Sequence, residues 1–121
     1  MPEATPDKIF LQGLEVECII GIFDWERNTP QKVLLDLEFS ADIRKAAQRD
    51  QIEATIDYKT IAKRMIDFVS KSRYHLIETL AESIATLLLK EFKLPYLKLR
   101  ISKPYAITSS QNVGVEIVRQ K

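Results

Sequence analysis

The spacing of apolar residues changes twice along this chain, and that change constrains its fold more than any other feature. Residues 8–20 (KIFLQGLEVECII) place Ile9 and Leu11, then, after a break at Gly13, Leu14, Val16, Cys18 and Ile20 at a period of two. This predicts a strand, bulged or bent at the glycine. Residues 32–41 (KVLLDLEFSA) repeat the pattern with Val33, Leu35, Leu37 and Phe39 on one face, so the two segments make an antiparallel pair. The connection FDWERNTPQ is too long for a two-residue hairpin and reads as a loop with room for function. The period then becomes helical. Asp57 caps a helix whose stripe is Tyr58, Ile61, Ala62, Met65, Phe68 and Val69. A second helix, from about Leu76 to Phe92, carries Leu76, Ile77, Leu80, Ala81, Ile84, Leu87 and Leu88 and stops before Pro95. Alternation returns in YLKLRIS, with Leu97, Leu99 and Ile101 inward, and in NVGVEIVRQ, with Val113, Val115 and Ile117 inward.

The order β-β-α-α-β-β groups strands apart from helices, which argues an α+β fold: an antiparallel four-stranded sheet with both helices on one face. Ile19, Leu34, Tyr96 and Val118 fall on the other face among charged residues, more apolar surface than a lone small domain shows to water. That face is read as partner-facing. The open sheet also leaves two edges, which pairing between copies into a closed ring would satisfy.

Composition narrows the function classes. At 121 residues and 45% hydrophobic, the chain makes one domain, residues 1–121, with a modest core. With 18 Lys and Arg against 17 Asp and Glu, spread along the chain, it lacks the basic bank that a nucleic-acid phosphate backbone requires. The apolar runs are strand-length and the start, MPEATPD, has no signal-peptide pattern, so no membrane partner and a cytoplasmic location are expected. Cys18, the single cysteine, has no partner and reads as packing, and a metal site would need more ligands.

Four short pieces end elements with polar residues: GIFDWER, TIDYKTI, HLIETLAE and RISKPYAI. Singly, each is bland. Glu26 reads as a solvated loop acid, Tyr58 as a half-buried packing residue, Glu78 as an acid facing a helix dipole, and Lys103 as a strand-end lysine in water. Together, in this order and spacing, they carry a resemblance. From IFLQGLEVE through IGIFDWER, ATIDYKTIA, HLIETLAE and RISKP to VGVEIVR, nearly the whole chain resembles the dihydroneopterin aldolases of folate biosynthesis.

The resemblance implies the tunnelling fold, whose subunits assemble rings around a pore, with an octamer of two stacked tetramers expected and a tetramer as the alternative. It also implies a small-molecule pterin substrate, active sites shared between subunits, and a retro-aldol cleavage of 7,8-dihydroneopterin that needs no metal or other cofactor, because the substrate's C6=N5 bond is its own electron sink. In this reading Glu78 anchors the pterin's N3–H and 2-amino edge, with backbone groups around Ile77 and Ile56 completing the ring contacts. Lys103 handles the proton through an ordered water. Tyr58 is the acid–base partner from a neighbouring subunit, and Glu26 binds the side-chain hydroxyls and orients Lys103. His75, the only histidine, matches a polar position near the pterin pocket. Trp25 is either a lid or a packing residue, and TSSQN reads as a flexible connection. The chain departs from some relatives in having Ile19 and Ile20 before Gly21, where tyrosine and histidine stand in them. Two alternatives remain: an epimerase acting at C2′ of dihydroneopterin or its triphosphate, and a non-catalytic ring-forming pterin-binding module. A triphosphate epimerase calls for a basic cluster at the site mouth, which the sequence lacks.

Overall fold

The computed structural model describes residues 7–121. Most of the MPEATPD start, on which the expectation about targeting rests, lies outside the described residues. The two opening period-two segments are β1 (Lys8–Cys18) and β2 (Gln31–Ser40), paired antiparallel. Their register jumps between Leu11 and Leu14, so Gln12 and Gly13 together oppose Asp36. Gly13 takes φ +68°, and its N–H donates to Asp36 Oδ1 at 2.7 Å. The extra residue restores the phase of alternation, which is why Leu11, Leu14, Val16 and Cys18 all turn to one side. β1 ends at Cys18, two residues earlier than the pattern suggests, yet Ile20 is fully buried.

The FDWERNTPQ connection is not all loop: it contains the short helix α1 (Asp24–Asn28). Between β2 and the first long helix stand two further elements absent from the expected order, α2 (Ile43–Arg49) and a 3-10 turn (Ile52–Ala54). Asp42 caps α2 through Arg44 N–H, and no residue of α2 is buried, so its apolar periodicity is too weak to register in the sequence. α3 (Tyr58–Ser70) begins as expected at Asp57, whose carboxylate accepts from Lys59 N–H at 2.9 Å. It buries Ile61, Met65 and Val69, but Tyr58 is 46% exposed rather than part of the packed stripe. α4 (Ile77–Glu91) uses Leu76 as its N-cap residue and buries Leu80, Ala81, Ile84, Ala85 and Leu88.

β3 (Tyr96–Pro104) and β4 (Asn112–Gln120) complete an antiparallel sheet of order β1-β2-β3-β4. α3 packs on β1 and α4 on β3 and β4, so the core is one layer of Phe39, Leu35, Leu37, Leu97 and Leu99 facing Met65, Ile84 and Leu88. Each of these buried side chains contributes about 1.5–3 kcal/mol by leaving water. Val113, Val115 and Ile117 point inward as expected but are only half-buried, because β4 is an edge. On the opposite face Leu34 and Tyr96 are half-covered and Val118 is exposed, joined by Phe10, which is 64% exposed. The connection before β4 is ordered by hydrogen bonds: Tyr105 N–H donates to Gln111 C=O, and Asn112 Nδ2 donates to Ser102 Oγ. The fold thus carries the ends of β1, β3 and α4 to one side, and the chemistry-bearing residues gather there.

Candidate active site

The chain turns out of β1 through Gly21, which is buried with φ +127°. A Cβ on this residue would lie 2.2 Å from Glu26 Cδ and Oε1. Only glycine lets the backbone fold over the carboxylate this closely. Glu26 sits on α1 and is only 5% exposed. Its Oε1 accepts from Phe23 N–H at 3.1 Å, half of a capping box that closes the short helix on itself. Its Oε2 accepts from Gln31 Nε2 at 3.0 Å and from Lys103 Nζ at 2.8 Å. Gln31 also donates to Ile20 C=O at 2.7 Å, tying β2's first residue to the turn that carries Glu26.

Burial pushes the Glu26 carboxyl upward, but the hydrogen bonds from Lys103, Gln31 and Phe23 N–H, with the charge of Lys103, outweigh it and hold the group at about 2. Glu26 is therefore ionised at neutral pH. Its partner Lys103, next to the last residue of β3, has a side chain only 16% exposed. The bland readings of both residues fail here, because neither is a solvated charge. Beneath them Cys18 is buried, and burial raises its thiol, in keeping with a packing role.

Across a cleft of about 590 Å³ stand His75, Leu76, Ile77 and Glu78, with Tyr105 and Trp25 at its margin. Glu78 lies in the first turn of α4, is exposed, and has no hydrogen-bond or ion-pair partner among the described residues. The structure thus brings together Glu26, Lys103, His75, Ile77 and Glu78. Tyr58 and Ile56 are not among the residues lining this cleft: Tyr58 opens α3 facing outward, and Ile56 packs against the core. Among the described residues no group of three or more His, Cys, Asp or Glu is arranged to hold a metal ion, and no helix is long and apolar enough to cross a membrane.

Two contributors were not singled out in the sequence. Gln31 has a signal there, since it shares the inward phase of Val33, Leu35 and Leu37, where a polar side chain must find a buried partner. Arg27 has none. Its guanidinium donates from Nη1 to Gly21 C=O and Tyr74 C=O, both at 3.0 Å, and from Nη2 to Arg73 C=O.

A carboxylate fixed against an amine is a device for placing a proton, and an unpaired carboxylate at a helix start accepts from a planar two-donor edge. On an antiparallel α+β scaffold, the pair and the free acid give the cleft the groups that acid–base chemistry on a hydrogen-bonding ligand requires. Residues 9–118 match the FolB dihydroneopterin aldolase family. The chain is 39% identical over 113 residues to the dihydroneopterin aldolase of Escherichia coli, covering 93% of each. Its fold superposes with a TM-score of 0.94 on a crystal structure described as a dihydroneopterin aldolase (FolB) from Vibrio cholerae, at 36% identity over 97% of this chain and 99% of that one. The E. coli aldolase in complex with neopterin superposes with a TM-score of 0.90, at 39% identity over 93% of this chain and 98% of that one. The chain belongs to the dihydroneopterin aldolase family.

Proposed function

We propose how this dihydroneopterin aldolase of folate biosynthesis divides its chemistry among the residues of the cleft. Glu78 grips the pterin: its carboxylate is free, exposed to the cleft and matched to the N3–H and 2-amino donors of the ring, with the backbone at Ile77 beside it. Lys103, held by Glu26, handles the proton of the 2′-hydroxyl. Loss of that proton makes the carbonyl of glycolaldehyde, breaks the C1′–C2′ bond and sends its electron pair through C6 to N5. Protonation at C1′ then yields 6-hydroxymethyl-7,8-dihydropterin. His75 contributes a polar group at the cleft wall.

The observation that carries this reading is the buried Lys103–Glu26 pair, 2.8 Å apart, in the same cleft as an unpartnered Glu78. Tyr58 and Ile56 enter from a neighbouring copy. Their place outside this cleft supports that arrangement, as do the exposed apolar residues at its rim, including Ile22, Phe23 and Trp25, and the two open sheet edges, β1 and β4. A homo-octameric ring assembly, working in the cytoplasm, follows from the same reading.

The test is incubation with 7,8-dihydroneopterin and separation of the products. Hydroxymethyl-dihydropterin with glycolaldehyde is expected. A changed diastereomer alone makes the chain an epimerase, and binding without turnover makes it a binding module. Lys103→Ala is expected to lose turnover while retaining neopterin, and Glu78→Ala to lose neopterin. Full cleavage by Lys103→Ala would remove that lysine from the mechanism.

A further inference from the structure

The two halves of the cleft come from segments far apart in the chain, and one side chain joins them. Glu26, the acid of the pair that Lys103 reaches from β3, hangs on the 21–28 turn, whereas the pterin grip rides on the 73–78 segment that opens α4. Arg27 belongs to the first and is bonded to the second: its Nη1 bridges Gly21 C=O and Tyr74 C=O, its Nη2 reaches Arg73 C=O, and Arg73 Nη2 returns a bond to Arg27 C=O at 3.2 Å. The guanidinium is half-buried, and no carboxylate pairs with it among the described residues. Its planar fork is spent on backbone carbonyls in two directions, an arrangement that fixes geometry rather than neutralising charge. Arg27 does not line the cleft.

We propose that Arg27 is a positioning residue for the aldol cleavage, a staple that sets the separation between the Glu26–Lys103 pair and the Glu78 grip. This rests on the reading of the cleft given above. Because Gly21 lies against the Glu26 carboxylate and Tyr74 is four residues before Glu78, slack at Arg27 shifts Glu26, and through it the Lys103 amine that it holds, relative to a ring still held by Glu78. A misplacement of about 1 Å costs on the order of 100-fold in rate. Lysine cannot replace the fork, since one ammonium cannot hold carbonyls on both sides in a fixed plane.

The experiment compares wild type, Arg27→Ala, Arg27→Gln and Arg27→Lys in cleavage of 7,8-dihydroneopterin, in neopterin dissociation constant, and in the fluorescence anisotropy of Trp25, the only tryptophan, which sits on the stapled turn. In Arg27→Ala the expected result is a kcat lower by roughly 10- to 100-fold, a neopterin constant within about threefold of wild type, and lower Trp25 anisotropy. Arg27→Lys is expected to remain impaired. If Arg27→Ala does not fold, Arg27→Gln carries the same test. A kcat within about twofold of wild type, or a neopterin constant that weakens as much as kcat falls, overturns the proposal. If the wild type itself fails to cleave dihydroneopterin, the reading of the cleft fails. If it cleaves and the Arg27 variants match it, Arg27 alone is misassigned.

Discussion

Replacing Glu26 by glutamine removes one charge while keeping the side chain's shape, and its consequence for stability has a calculable pH dependence. The folded carboxyl is held at about 2 against an ordinary value of 4.5. A group whose folded value is depressed contributes stability that is fully present above its unfolded value and is lost as pH falls through the folded one. At about 1.4 kcal/mol for each tenfold change in proton affinity, the drop corresponds to at most about 3 kcal/mol at pH 7. It is a ceiling because the cleft admits water on one side of the pair, which screens it. At pH 3 the same expression leaves about 1 kcal/mol. The assay is urea unfolding of wild type and Glu26→Gln at one protein concentration, from pH 7 down to pH 3, so that assembly contributes equally to both. Other titrating groups cancel in the difference. The gap between the two proteins should narrow between pH 5 and pH 3. A gap that stays constant over that window would show that Glu26 is not held ionised by Lys103 and Gln31, and the electrostatic account of the site would fall with it.

Gly21→Ala places a Cβ 2.2 Å from the Glu26 carboxylate at a backbone φ that side chains rarely adopt, so a loss of about 2–4 kcal/mol in urea unfolding is expected, together with most of the cleavage activity. A variant within 0.5 kcal/mol of wild type by that measurement, on the order of an ordinary surface change, would show that the turn does not press on Glu26. Tyr105 holds φ +58° beside the cleft, a conformation asparagine tolerates better, and Tyr105→Asn should raise the melting temperature by a few degrees in a thermal scan. For the shared site, Lys103→Ala and Tyr58→Phe coexpressed in mixed rings should recover about a quarter of wild-type turnover, the share of sites in which random neighbours supply both intact residues. No recovery in verified mixed assemblies would show that one subunit supplies both residues, and about half of wild-type turnover would place Tyr58 outside the site.

Much of the fold was legible because its signals are periodic. The inward faces of β2 and β3 and the buried stripe of α4 follow from spacing alone, and the bulge at Gly13 from a glycine breaking an alternation. α2 and the 3-10 turn escaped because they bury too little to impose a period, and α1 because five residues closed by one glutamate leave no pattern. Tyr58 and Ile56 do not line the cleft that Lys103 faces, so the fold of a single chain does not bring them to it.

The same periodicity, followed past the apolar residues, marks the site itself. On β3 the inward phase runs Leu97, Leu99, Ile101 and then Lys103, and on β2 it runs back from Phe39 through Leu35 and Val33 to Gln31. Both strands therefore send a polar side chain to an inward position at the same end of the sheet. A half-buried amine and a half-buried amide there call for an acceptor, and the nearby turn supplies Glu26 to both. The polar residue at the end of an apolar phase thus marks this cluster more plainly than any polar residue in a loop. Arg27 shows where that rule stops: its partners are backbone carbonyls, and carbonyls belong to every residue, so no pattern of side chains could have announced it.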